Sequence, residues 1–153
     1  MIGRAVPLGA ALLGAVLLVS ACGFGPGARI GQAVLRSGDI ERQVSNRTFA
    51  GETTSGAPIE VFFHTDGVVY IRGEGSAGIP FQDRGRWWVQ WDRLCTRYER
   101  VRGRKATCEW VTLEGRDFRT YTPAGDLSAR GEIYEGAPRG IERRPAKPPT
   151  VGS

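Results

Sequence analysis

With 41% apolar and 24% charged residues in 153, the chain has the make-up of one soluble domain. One histidine, and three cysteines without a C-x-x-C spacing, argue against a zinc site or any other bound metal. The net charge of +5 comes mostly from the last residues, 137–153, where Arg139, Arg143, Arg144 and Lys147 face only Glu142. The body is then close to neutral, which argues against nucleic acid as a partner.

In chain order, Arg4 is the only charge before an apolar run at 8–19 that is too short to span a bilayer stably. A charged start, a short apolar core and small residues after it describe a secretory signal. The "VSAC" at 19–22 resembles the lipobox of bacterial lipoproteins. That resemblance implies removal of residues 1–21, diacylation of the Cys22 sulfur and attachment to a membrane. Each buried acyl methylene adds about 0.8 kcal/mol, so two chains hold stably. By resemblance to the sorting rule of enteric lipoproteins, Gly23 in place of an acidic residue implies the outer membrane of a bacterial envelope, with the domain facing the periplasm. Residues 22–36 form the lipidated N-terminus and linker. With Cys22 acylated and the chain exported to an oxidising compartment, Cys95 and Cys108 remain to form a disulfide. Closing that loop contributes about 3 kcal/mol.

The domain proper is expected over 37–136. "SGDIERQVSN" (37–46) reads as a short helix, with Ser37 or Gly38 as cap and Ile40 and Val44 on one face. Strand signals follow. "RTFAGET" ends at "TSGAP"; "IEVFFH" and "VVYIRGE" flank an Asp-Gly turn, a strong hairpin signature. "GRWWVQW" and "LCTRYERV" flank a tight turn expected at Asp92-Arg93. "ATCEWVTL", "FRTYT" and "LSARGEIYE" complete about eight short strands, the spacing of an antiparallel barrel or sandwich. No helix is long enough for a parallel crossover. If Cys95 faces Cys108, strand partners sum to 203, Tyr98 meets Lys105, and residues 99–104 form the loop. Four prolines mark 137–153 as an unstructured basic tail.

Nothing identifies an enzyme or a cofactor. "GEGSAG" (73–78) matches G-x-G-x-x-G, but no helix follows to hold a phosphate, so it is an inter-strand loop. His64, beside Asp66 across a turn, is the sole imidazole, and no G-x-S-x-G elbow exists. Asp83 and Glu109 have no assignable separation for paired-carboxylate chemistry. All four tryptophans lie in 85–111. By strand alternation Trp87 and Val89 point into the core, while Trp88 points outward; Trp91, at a strand parity shared with Trp87, has no core reason of its own. Packing accounts for most of this cluster. Trp88 and Trp91 with Arg86 form a candidate stacking platform for a glycan or lipid.

"NRTFAG", "FFHTDGVVYIRG", "GRWWVQWDRLCTRY" and "CEWVTLEGRDFRTYTPAG" resemble a domain-of-unknown-function family of small exported bacterial lipoproteins. The matching positions are Gly51, Phe63, Asp66, Gly67, Gly85, Trp87, Val89, Leu94, Cys95 and Cys108. The G-x-W and F-x-x-D-G rhythm is also similar to lipocalin-like, calycin-type meander barrels. In those the G-x-W lies near the first strand, whereas here it is mid-domain. The resemblance implies an all-β antiparallel meander barrel, about eight strands with one short N-terminal helix. The chain is short for eight long strands, which argues against a large ligand cavity without deciding whether the barrel is hollow. The resemblance implies no activity. The expected function is that of a non-catalytic envelope lipoprotein, a binding or structural module meeting an envelope protein, a glycan or a small apolar ligand. Alternatives are an inhibitor of an envelope hydrolase, presenting an exposed loop at 79–84, or a carrier of a small apolar ligand in a cavity behind Trp87 and Val89.

Overall fold

The structure is a computed structural model that describes residues 30–141. Eight antiparallel strands close into one barrel: β1 (Arg47–Thr53), β2 (Pro58–Phe63), β3 (Val68–Glu74), β4 (Pro80–Gln90), β5 (Arg93–Tyr98), β6 (Thr107–Glu114), β7 (Asp117–Tyr121) and β8 (Leu127–Glu135). Each strand pairs with the next and β8 returns to β1, so no edge is left open. The single helix described in full, α1 (Ser37–Val44), precedes β1.

Alternation along the strands separates a core wall from an outer wall. Phe49 stands opposite Val61 on one side and Ile133 on the other, and Val61 opposite Ile71. These residues, with Phe63, Val69, Trp87, Leu94, Val111 and Phe118, form one buried cluster, and Val89 packs against it. Phe49 and Phe118 meet with ring centroids 5.3 Å apart. Trp87 lies edge-on to Phe63 at 5.8 Å, and its indole N–H donates to the His64 carbonyl at 2.7 Å. The space behind Trp87 and Val89, where a carrier needs its cavity, is thus occupied by side chains.

Helix α1 stops one end of this core. Its Ile40 and Val44 are fully buried in the same cluster. An eight-residue helix is marginal alone, and its own residues do not cap it, contrary to the expectation for Ser37 or Gly38. The cap comes from the β4–β5 turn. Asp92 Oδ1 accepts the Ser37 amide at 2.8 Å and the Ser37 hydroxyl at 2.9 Å, and Arg36 pairs with Oδ2 at 2.9 Å. The Arg36 bond, then the Ser37 amide and hydroxyl, hold the Asp92 carboxyl below the usual carboxylate range.

The packed body is longer at both ends than 37–136. Val34 bridges Thr112, the Leu35 amide donates to the Val111 carbonyl, and Ile30 is buried. Thr48, fully buried on the outer wall, donates to the Gly136 carbonyl at 2.6 Å; beyond it Pro138 and Ile141 are also buried. Cys22 and the rest of 1–29, and the tail from 142 onward, lie outside the described residues.

Two departures from the expected strands matter for function. The tight turn falls at Trp91-Asp92, not Asp92-Arg93. Gln90 pairs with Arg93, and both turn residues have positive φ, +50° and +56°, the geometry of a two-residue hairpin turn matched to strand twist. And β4 begins at Pro80, so most of the expected 79–84 loop is strand paired to β3. The loop that remains is short, Gly75 to Ile79, with Ile79 exposed.

Candidate binding face

The tryptophan-rich stretch lies on β4, β5 and β6, and the disulfide fixes the register of the last two. Cys95 and Cys108 face each other with their Cα atoms 4.0 Å apart and are bonded through sulfur, and Leu94–Glu109 and Thr96–Thr107 extend the same ladder. Partners sum to 203 as expected, but the ladder ends at Thr96–Thr107. A short 3-10 turn at Val101–Arg104 takes the loop instead.

Cys95 belongs to the outer wall, so its partners there do too. Trp88 stands opposite Cys95, Arg86 opposite Arg97, and Gln90 opposite Arg93. Trp88 is half-buried beside the disulfide and its indole N–H lies 3.4 Å from the Gln90 side-chain oxygen. Trp110 is also outward, with the Arg93 guanidinium 4.6 Å above its ring. Arg86 is exposed. Of the three candidate residues, Arg86 and Trp88 therefore share one strand face. Trp91 does not continue it: it leaves the strand at the turn and stands 77% exposed at the tip. Its expected parity with Trp87 fails because the strand ends one residue earlier.

The loop beside this face is held by a buried acid that sequence reading missed. Phe81, Asp83, Gly85, Trp87 and Val89 alternate onto the inner wall, so Asp83 points inward near the barrel mouth. Only 2% of its side chain is accessible. Oδ2 accepts the amides of Arg100 and Val101, each at 2.7 Å, and Oδ1 accepts the Arg84 amide at 2.9 Å. Burial opposes the charge. The amides of Val101, Arg100 and Arg84, with the Arg100 guanidinium, outweigh it and hold the carboxyl below its ordinary value. Extending the G-x-W-x-V alternation backward by two steps places Asp83 inward; treating 79–84 as a loop hid that signal.

The other groups weighed for chemistry have structural partners. Glu109 Oε1 accepts the Ser128 hydroxyl at 2.7 Å and lies 3.7 Å from Arg102. His64 Nδ1 is 2.7 Å from Asp66 Oδ1 within the β2–β3 turn. "GEGSAG" is the end of β3 and a 3-10 turn at Ser76–Gly78. Burial pushes the Tyr98 hydroxyl far above its ordinary pKa. Among the described residues no cluster of three or more histidine, cysteine, aspartate or glutamate side chains is arranged to hold a metal ion, and no helix is long and apolar enough to cross a membrane.

Gly85 shapes the face. It is paired to Tyr98, and a Cβ there would lie 2.0 Å from the Arg97 carbonyl oxygen. Only glycine lets the two strands approach so closely there. Over it lies an open groove of about 620 Å3 lined by Tyr70, Arg84, Arg86, Arg97, Glu99 and Arg104, among others. No protein-family model and no curated protein matches this chain.

Proposed function

We propose that the protein is a non-catalytic lipoprotein of the bacterial envelope, anchored through Cys22 and facing the periplasm, that binds its partner on the outer wall of the barrel. The observation that carries the binding reading is the packed interior. Side chains fill the barrel behind Trp87 and Val89 and α1 stops that end. The opposite mouth holds a cleft of about 1120 Å3 lined by Ile59, Phe81, Asp83 and Val101 among others. The wall bearing Arg86 and Trp88 is the face where exposed charge and an aromatic ring stand together. The anchor rests on "VSAC" and the short apolar run before it, and the family likeness rests on the motifs that carry it. A carrier of a small apolar ligand has less support, because it needs the filled space. The hydrolase-inhibitor reading retains one specific observation, Ile79 at 65% exposure in the β3–β4 loop.

Metabolic labelling with an alkyne-tagged palmitate tests the anchor in cells producing the wild type and Cys22→Ser. Label on the wild type alone, with the variant released from the membrane fraction, is the expected result. An unlabelled wild type, or a variant still firmly membrane-bound, refutes it.

A further inference from the structure

The body is near neutral in sum but strongly divided. Between residues 84 and 105 it carries eight arginines and lysines against two acids, Asp92 and Glu99; the rest of 30–141 carries eight against thirteen. The fold gathers the basic stretch on one side, because β4 and β5 are hydrogen-bonded neighbours and the β5–β6 loop adds Arg100, Arg102, Arg104 and Lys105. Within it, Arg86 and Arg97 stand directly opposite each other on the outer wall, both exposed. Like charges facing across a ladder destabilise a sheet. Arg119 and Arg130 also face each other across the β7–β8 ladder, but there each charge is neutralised by a carboxylate. In the described strands Arg47, Arg72, Arg84, Arg119 and Arg130 each meet a carboxylate, and Arg93 stacks on Trp110. Among the described residues Arg86 and Arg97 have no ion pair or hydrogen bond, and the groove over Gly85 runs between them.

We propose that this groove binds an anionic polysaccharide. Its carboxylates or phosphates lie against Arg86, Arg97 and Arg104, and its sugar faces rest on Tyr70 within the groove and, where the polymer runs on past it, on Trp88 beside Arg86 on the same strand face. This names the ligand of the binding module proposed above and rests on that reading. Two observations select the occupant. The positive surface runs along two strands and into a loop, too extended for one small anion. Arg86 and Trp88 alternate on a single strand face, so charge and an aromatic surface recur together, as a chain of acidic sugars requires.

The test uses the full-length protein in neutral detergent and linear polygalacturonate, with dextran of similar length as the uncharged control. Polyglutamate and phosphatidylglycerol vesicles form parallel arms. Polygalacturonate is expected to bind, to weaken at least about tenfold between about 50 and about 500 mM salt, and to exceed dextran and polyglutamate. Arg86→Gln combined with Arg97→Gln is expected to lose about tenfold or more in affinity, about 1.4 kcal/mol or more. Its melting temperature should be unchanged or higher, since a repulsion is removed. Trp88→Ala is expected to weaken polygalacturonate severalfold at both salt concentrations. Polygalacturonate bound no better than dextran, or equally by the double variant, overturns the proposal. Polyglutamate or vesicles bound as tightly, with the same dependence on Arg86 and Arg97, overturns the polysaccharide as occupant while leaving the binding module intact. Palmitate labelling at Cys22 reports on the anchor independently of every arm.

Discussion

Replacing Asp83 by alanine removes the acceptor for three backbone amides at once. Hydrogen bonds to a charged group are worth about 1.5–3 kcal/mol each when one partner is truncated. The full sum is not expected, because Arg100 and Val101 lie in a loop open to solvent and their amides recover water once released. The Arg84 amide loses a partner within the wall. A net loss of about 3 kcal/mol follows, which for a body of this size lowers the melting temperature by about 12 °C. Asp83→Asn keeps the shape and one carbonyl oxygen, and should lose less. The pH dependence has a definite sign. The folded carboxyl lies below its ordinary value, so its contribution is complete above the unfolded pKa, about 3.9, and fades as pH falls through the folded value. The gap between wild type and Asp83→Asn should therefore be full at pH 7 and shrink below about pH 4. Thermal unfolding followed by circular dichroism across that range measures both. A loss under about 1 kcal/mol for Asp83→Ala at pH 7, or a gap that widens in acid, would refute the account of Asp83 as the anchor of the basic loop.

Three further outcomes follow from the same structure. Replacing Cys95 and Cys108 by serine should cost about 3 kcal/mol, as should reduction of the wild type, both read from denaturant unfolding; equal midpoints for oxidised and reduced protein would show that the bond is dispensable. Thr120 is buried and its hydroxyl has no hydrogen-bond partner, so the isosteric Thr120→Val should leave stability unchanged or raise it by about 1 kcal/mol; a clear loss in calorimetry would mean that the hydroxyl is satisfied. Trp91→Gly should stabilise the β4–β5 turn by up to about 1 kcal/mol, because an exposed aromatic residue is held there at φ +50°; destabilisation on thermal melting would mean that the ring makes contacts its exposure does not suggest.

The eight strands were legible because each is a short β-rich run bounded by turn residues, and because β1 to β8 join only chain neighbours, so local signals sufficed. The Cys95–Cys108 register was legible for a similar reason: two cysteines on adjacent strands leave one pairing. What failed was the extent of β4 and the position of its turn. The loop-like "IPFQDR" composition concealed strand residues whose pairing to β3 decides their conformation, and Trp91 was counted as strand although both it and Asp92 adopt the left-handed region.

The candidate face divides the same way. Arg86 and Trp88 share a side by alternation alone, a property of any extended chain. That Arg97 faces Arg86, that Arg93 covers Trp110, and that Asp83 ties down the loop carrying Arg100 to Lys105 depend on strand register and on the close approach of β4 and β5 at Gly85. The cap on α1 depends on contact between residues 55 apart, Ser37 and Asp92. The sequence by itself determined the strand count, the cross-link and the inward tryptophan, because those follow from local periodicity. Closure of β8 onto β1, the packing of side chains behind Trp87 and Val89, and the gathering of positive charge on one wall came only with the tertiary structure, because each requires distant segments to meet.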